Sequence, residues 1–212
     1  MKKVLAMLIA MVMMIGTVGV VAEPAEETVT RAEFARTIIQ LLALDGIAFQ
    51  TDTEFYDVSA EHPLSGYIFV ARGLGNINGD GYGNFRPDDE ILVVEAITML
   101  VRALGYTPVA NVNGGFPHGY KVSAANERTG FLSNPTTVPF NNFLTTNMAQ
   151  IWVNRALDMP MMIVDGWDVD GQTNFIIADG IDGAPLQTLR LSAHGDEVGT
   201  LYFNGENFIT LD

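Results

Sequence analysis

The 212-residue chain contains no cysteine, and this absence excludes several kinds of site at once. Disulfides, thiolate nucleophiles and zinc–thiolate centres are all ruled out, so the fold must depend on its hydrophobic core. Basic residues are also few: 11 lysines and arginines face 25 acidic residues, which gives a formal net charge of −14. A nucleic-acid-binding protein needs a basic surface, so we do not expect that class of partner.

Signatures of catalysis and of metal binding are missing as well. The sequence has no nucleophile elbow, zinc-protease motif or phosphate-binding loop, and its three histidines lack metal-ligand spacing. The stretch 76–87 imitates the start of a calcium loop, but proline stands where a bidentate glutamate is required. We therefore predict no catalytic residue, metal or cofactor. A carboxylate pair for glycoside hydrolysis stays an open alternative, because acidic residues are plentiful.

The first 22 residues predict an export signal. Two lysines precede an apolar run that ends at Ala22, a small residue suited to cleavage by signal peptidase. The alternative is a retained membrane anchor, although the run is near the lower length limit for a bilayer span. We expect residues 1–22 to be removed, which leaves a short acidic linker at 23–28 and no membrane contact.

Three segments that align without gaps indicate internal repeats: 29–44, 91–106 and 144–159. Each segment has apolar residues at helical spacing and therefore predicts an amphipathic helix. Thr30 and Glu33 form a capping box at the first helix start. Leucine replaces the capping threonine in the second segment, and there we expect Asp89 to act as the cap.

Two further helices are predicted between the repeat segments, at about 66–74 and 119–128, and each leads into a loop. The first loop is rich in turn-forming residues, and we expect Phe85 and Pro87 to seat it in the core. Trp152, on the third repeat helix, is also expected to lie in the core. The repeating unit is therefore a helix, a structured loop and a second helix.

Beyond Pro160 the pattern changes to short alternating runs, such as 188–191 and 200–203, which predict strands. Turns are predicted between them at Asp165-Gly166, Asp170-Gly171, Asp179-Gly180, Asp182-Gly183 and Asn204-Gly205. We interpret 161–212 as a small antiparallel β segment, which could be the start of a truncated domain. Trp167, between two aspartates, is a candidate for stacking on a sugar.

Several short elements in a fixed order resemble the S-layer homology domain, a module of bacterial surface proteins. Residues 29–34 read VTRAEF, and residues 55–58 read FYDV. A glycine-rich loop then leads to FRPDD at 85–89, and 99–106 completes the motif. The resemblance covers 29–160, with motif segments at about 29–54, 55–107 and 114–159.

The resemblance implies a mainly α fold: a pseudo-threefold bundle of helix–loop–helix repeats with sugar-binding grooves between neighbouring repeats. It also implies a ligand, a secondary cell-wall polysaccharide attached to peptidoglycan and often pyruvylated. Arg31 occupies the family's groove position, with Glu33 and Arg86 as further candidates. A guanidinium at a helix N-terminus suits a carboxylate. Because Val93 and Thr146 stand at the two equivalent positions, we expect one competent groove.

Each candidate has a structural alternative. Arg31 could be a solvated first-turn arginine paired with a neighbouring glutamate such as Glu27. Glu33 is expected to act mainly as a cap, and Arg86 could stabilise its own loop.

The predicted function is non-catalytic anchoring to the cell wall outside the cell. The alternatives are an S-layer assembly protein that no longer binds glycan and contacts other S-layer proteins, or the anchor of a truncated modular enzyme.

Overall fold

The computed structural model describes residues 26–181, 184–197 and 199–211. Within these residues the α-helices are α1 (Arg31–Leu41), α2 (Ser65–Gly73), α3 (Val93–Ala103), α4 (Thr107–Val112), α5 (His118–Ala124), α6 (Thr146–Asp158) and α7 (Leu189–Ser192). The strands are β1 (Met162–Trp167), β2 (Thr173–Ile177), β3 (Leu201–Phe203) and β4 (Phe208–Thr210). Short 3₁₀ turns occur at Asp45–Ile47 and Pro135–Thr137. The predicted export signal, residues 23–25 of the acidic linker and the predicted Asp182-Gly183 turn lie outside the described residues.

Helices are present at all five predicted places, and the first one starts as its sequence indicates. Glu33 N donates to Thr30 Oγ1 at 3.2 Å, and Thr30 N donates to Glu33 Oε2 at 2.8 Å, so the capping box is confirmed. At the start of α3 the expectation for Asp89 was wrong. Glu95 Oε2 accepts a hydrogen bond from Leu92 N at 3.1 Å, so this glutamate satisfies the free N–H without any capping hydroxyl.

Backbone hydrogen bonds link the starts of the three repeat helices in a closed ring. Val29 N donates to Leu144 O at 3.0 Å, Leu144 N donates to Ile91 O at 2.9 Å, and Ile91 N donates to Val29 O at 2.9 Å. A second set of equivalent bonds surrounds this ring: Arg31 N to Asp89 O, Val93 N to Asn142 O and Thr146 N to Glu27 O, each 2.9 Å. The three helix starts are thus related by an approximate threefold arrangement, while membership of the S-layer homology fold stays a prediction.

The remaining helices pack on the repeat helices in pairs. α2 packs on α1, α5 on α3 and the short α7 on α6. Phe85 is 1% exposed, Trp152 is 7% exposed and Pro87 is buried, so all three lie in the core as predicted. α5 ends at Ala124 rather than near residue 128, because the side chain of Asn126 accepts two backbone hydrogen bonds and forms a turn. α4 was not predicted.

The region after Pro160 departs from its prediction in two places. Thr188 is the cap of α7, accepting a hydrogen bond from Leu191 N at 3.3 Å, so residues 188–191 form a helical turn and not a strand. Asp165 and Gly166 lie inside β1, where the register with β2 shifts, and not in a turn. The β1–β2 hairpin turns at Asp170-Gly171, and the β3–β4 hairpin turns at 204–207.

The residues from 188 onward pack against the helices and do not form a separate unit. Leu189 and Phe203 are each 1% exposed and belong to the same hydrophobic cluster as α1 and α6. Asn154 on α6 holds the backbone of Phe203 from both sides: its Nδ2 donates to Phe203 O at 2.7 Å, and Phe203 N donates to its Oδ1 at 2.8 Å. His194 Nε2 lies 2.9 Å from Leu41 O at the end of α1. Residues 188–197 and 199–211, which we call the tail, therefore lie between α6 and α1.

Candidate ligand-binding groove

A groove of about 300 Å³ lies where the start of α1 faces α3 and the loop that leads into it. We call it the arginine groove. Its lining residues are Arg31, Asn76, Ile77, Asn78, Gly79, Asp80, Phe85, Arg86, Ile91, Glu95, Thr98, Met99, Arg102 and Phe116. Two of the three residues predicted to bind ligand, Arg31 and Arg86, are brought together here.

Arg31, the first residue of α1, is buried and fixed in place. Its Nε donates to Phe85 O at 2.7 Å, and its NH1 donates to Glu95 Oε1 at 2.7 Å. The guanidinium carbon also lies 4.8 Å from the centre of the Phe85 ring. The alternative of a solvated arginine paired with Glu27 was therefore wrong, because Arg31 is 6% exposed and its partner is Glu95. Within the described part of the chain, its NH2 makes no hydrogen bond.

Arg86 reaches the same carboxylate from the opposite loop. Its NH2 lies 3.8 Å from Glu95 Oε1, and its NH1 lies 3.4 Å from Asp89 Oδ2. The residue has a φ of 60°, which is unfavourable for a side chain other than glycine. Asp57 holds this conformation, because its two oxygens accept from Phe85 N at 2.8 Å and Arg86 N at 2.6 Å. The side chain of Arg86 is 47% exposed and so is available to a ligand.

The third predicted residue, Glu33, does not face this groove. Its carboxylate caps α1, and it lines a second groove together with Arg36 and Thr146. The structure thus separates Glu33 from Arg31 although the two are only two positions apart. Neighbours at this spacing point to different sides of a helix.

Sequence reasoning missed Arg102 and Asn76. Arg102, near the end of α3, donates from NH1 to Asn76 O at 3.3 Å, and its guanidinium lies 5.3 Å from the Tyr120 ring centre. A signal was present, because Arg102-Ala103-Leu104 recurs as Arg155-Ala156-Leu157. Arg155 makes the equivalent bond, donating from NH1 to Phe131 O at 3.3 Å. Each arginine thus links its own helix, by a hydrogen bond, to the loop that precedes that helix.

The lining of the arginine groove has more arginines than carboxylates, and Asp89 outside the lining pairs with Arg86. Three arginines (Arg31, Arg86, Arg102) line the groove against two carboxylates (Glu95, Asp80). The side-chain hydrogen bond from Asn84 lowers the pKa of Asp80, and the backbone N–H of Tyr82 adds to this effect. Among the described residues, no group of three or more potential ligands is placed to hold a metal ion. The groove is therefore suited to a small anionic group.

The second groove has the same backbone plan but other side chains. Thr146 stands where Arg31 stands, Glu33 replaces Glu95, and the turn of the β3–β4 hairpin forms one wall. We call it the tail groove, with a volume of about 510 Å³, lined by Glu27, Thr28, Val29, Glu33, Arg36, Thr37, Thr146, Asn204, Gly205 and Glu206. At the third equivalent position Val93 is fully buried.

Comparison with known proteins gives three similar proteins, all from bacterial surfaces. The chain is 36% identical over 120 residues to a surface layer protein of Brevibacillus choshinensis, which covers 55% of this chain and 10% of that protein. It is 32% identical over 139 residues to a middle cell wall protein of Brevibacillus brevis, and the alignment covers 65% of this chain and 13% of that protein. It is 29% identical over 151 residues to a cell surface protein of Thermoanaerobacter kivui, and the alignment covers 69% of this chain and 19% of that protein. No protein-family model matches the chain.

These similarities decide the location of the protein. It is a protein of the bacterial cell surface. The matched relatives are surface-layer and cell-wall proteins, and none carries the name of an enzyme. The chain spans only 10 to 19% of the length of these relatives. Across the residues that the structure describes, no helix combines the length and apolar character needed to cross a bilayer.

Proposed function

We propose that this protein attaches non-covalently to the cell wall by binding an acidic secondary cell-wall polysaccharide in the arginine groove. The observation that carries the proposal is the convergence of Arg31 and Arg86 on the same oxygen of Glu95, in a groove lined by more arginines than carboxylates. Guanidinium groups bind carboxylates through paired hydrogen bonds, so they suit a polymer that carries carboxylates. The resemblance to the S-layer homology domain and the wall-associated relatives also support it.

The mechanism needs no chemical step. Glu95 and the carbonyl of Phe85 hold the Arg31 guanidinium in one orientation, so little side-chain entropy is lost when a ligand binds. Arg86 is half exposed and can swing from Asp89 to an incoming carboxylate. Because the protein is acidic overall, these arginines also select where an acidic polymer can approach.

The test is co-sedimentation of the mature chain with purified sacculi, before and after their polysaccharide is removed. Arg86→Gln should lower the affinity about tenfold to a hundredfold, the value of a hydrogen bond to a charged group. Arg31→Lys keeps a charge beside Glu95 but loses the paired geometry, and should also bind more weakly. Arg36→Gln removes the same charge from the tail groove and serves as the matched control, with unchanged binding expected.

A second candidate is an assembly protein whose repeats no longer bind glycan. Pairing of Arg31 with its own Glu95, and the loss of arginine at Val93 and Thr146, favour this alternative. The same experiment separates the two candidates. A well-folded chain that fails to sediment with intact sacculi would overturn the anchoring proposal and leave assembly in its place.

A further inference from the structure

Among the described residues, one buried side chain that lines the arginine groove has no hydrogen-bond partner. Three buried polar residues line the groove: Arg31, Asn76 and Thr98, which are 6%, 4% and 5% exposed. Arg31 is paired as described, and Thr98 Oγ1 donates to Val94 O at 2.8 Å. Asn76 Nδ2 is buried and, within the described part of the chain, neither side-chain atom of Asn76 makes a hydrogen bond.

The backbone of Asn76 is fully used, which fixes the position of its side chain. Its N–H donates to Ala71 O at 2.9 Å, and its carbonyl accepts from Arg102 NH1 at 3.3 Å. An unpaired buried amide costs about 1–3 kcal/mol of stability. A residue that only supported the loop could be apolar without this cost. The unpaired amide lines the arginine groove and therefore leaves a buried donor there for a partner from outside the protein.

The chemistry of the groove limits what this partner can be. A carboxamide both donates and accepts, so it suits a group that does both, such as a hydroxyl. The arginines beside it suit a carboxylate, and apolar side chains, with Phe116 57% exposed at the edge, suit the C–H face of a ring. We propose that Asn76 binds a hydroxyl group of an acidic sugar whose carboxylate is bound by Arg31 and Arg86. This inference rests on the proposed polysaccharide binding and adds specificity to it.

The decisive variant is Asn76→Leu, which keeps the size of the side chain and removes its polarity. If Asn76 is a binding residue, the unfolding midpoint should stay equal or rise, because an unpaired polar group has been removed. The affinity for purified wall polysaccharide should fall about threefold to tenfold, the value of one neutral hydrogen bond. A residue with a purely structural role would give the opposite pattern: a lower midpoint and unchanged affinity of the folded fraction.

Ser123→Ala is the matched control. Ser123 is 6% exposed, and its Oγ is also buried without a hydrogen-bond partner in the part of the chain that the structure describes, but it does not line the groove. Its replacement should leave the midpoint equal or higher and the affinity unchanged. Salt gives a second readout, since a neutral contact is not screened. Asn76→Leu should weaken binding by the same factor at low and high salt, whereas Arg86→Gln should reduce the salt dependence itself.

The outcomes separate this inference from the proposed function. If the wild-type chain does not bind the polysaccharide, both fall together. If it binds, and binding is lost when the polymer's carboxylates are chemically reduced to alcohols, the anchoring proposal holds. In that case, Asn76→Leu with wild-type affinity would overturn the hydroxyl contact alone.

Discussion

The arginine groove and the tail groove share one backbone arrangement and differ in almost every side chain that a ligand could touch. In the first, Arg31 at a helix start reaches Glu95 on the next helix. In the second, Thr146 stands at that place, and its Oγ1 donates to Glu27 O at 3.2 Å. Gly205 of the tail lies so close that a Cβ added there would be 2.9 Å from Thr146 Cγ2. The protein's own chain thus lies directly against Thr146 and forms one wall of this groove.

This difference shows that the backbone arrangement of the grooves and the side chains that can bind a ligand are specified by different residues. The ring of bonds among Val29, Ile91 and Leu144 uses only backbone groups, so these bonds do not depend on ligand-binding side chains. Ligand chemistry depends on the side chains at positions 31 and 95. One groove can therefore keep its arginine while an equivalent groove loses it, with no change of fold.

The largest expected effect comes from undocking the tail. Phe203→Ala removes a side chain that is 1% exposed and should lower the free energy of unfolding by about 3–5 kcal/mol. The residue lies on the tail-groove side, so polysaccharide binding by the folded chain should remain. Ile209→Ala, in the neighbouring strand and 40% exposed, is the control, and a small change is expected. Denaturant unfolding and sacculus sedimentation measure the two properties. Loss of binding in a folded Phe203→Ala chain would show that the grooves are coupled.

An intermediate effect should distinguish the two equivalent glutamates. Glu95→Gln leaves the buried Arg31 without its charged partner and should lower the free energy of unfolding by about 1.5–3 kcal/mol. Glu33→Gln should cost only a few tenths of a kcal/mol, because glutamine also serves in a capping box. Equal losses of stability in the two variants would contradict the assigned difference between the grooves.

Local features of the fold could be predicted from the sequence, whereas contacts between distant segments could not. The Thr30–Glu33 box and the core positions of Phe85 and Trp152 follow from short patterns, and the structure has them. The pairing of Arg31 with Glu95 joins residues 64 positions apart, and no spacing rule specifies it. The expected partner Glu27 was simply the nearest glutamate along the chain.

The tail shows where short patterns become ambiguous. Four residues with alternating polarity, 188–191, fit one turn of helix as well as a strand, and the capping hydroxyl of Thr188 decided the outcome. The docking of the tail on α6 depends on Asn154, whose amide pairs with the backbone of Phe203. An asparagine in an amphipathic helix carries no sign of such a distant backbone partner.

The smallest expected effect appears only in acid and again separates the two regions. The backbone N–H of Leu201, at 2.7 Å, and Arg190, at 2.8 Å, lower the pKa of Asp196 in the tail well below its usual 3.8. A lowered pKa contributes stability above about pH 3.8, and this contribution is lost as the pH falls below that value. The pKa of Asp80 in the arginine groove is lowered as well, but less strongly.

The tail should therefore lose more stability on acidification than the loop around Asp80. Limited proteolysis or hydrogen exchange between about pH 5 and pH 2 should show faster cleavage or exchange at β3 and β4 than in the loop around Asp80. Asp196→Asn should raise the rate of cleavage or exchange in the tail already at neutral pH. It should also remove most of the further increase on acidification. Asp80→Asn is the matched control and should leave the tail unchanged. If both regions of the wild-type chain opened together at one pH, the tail and the arginine groove would form a single cooperative unit, and their separate roles would have to be abandoned.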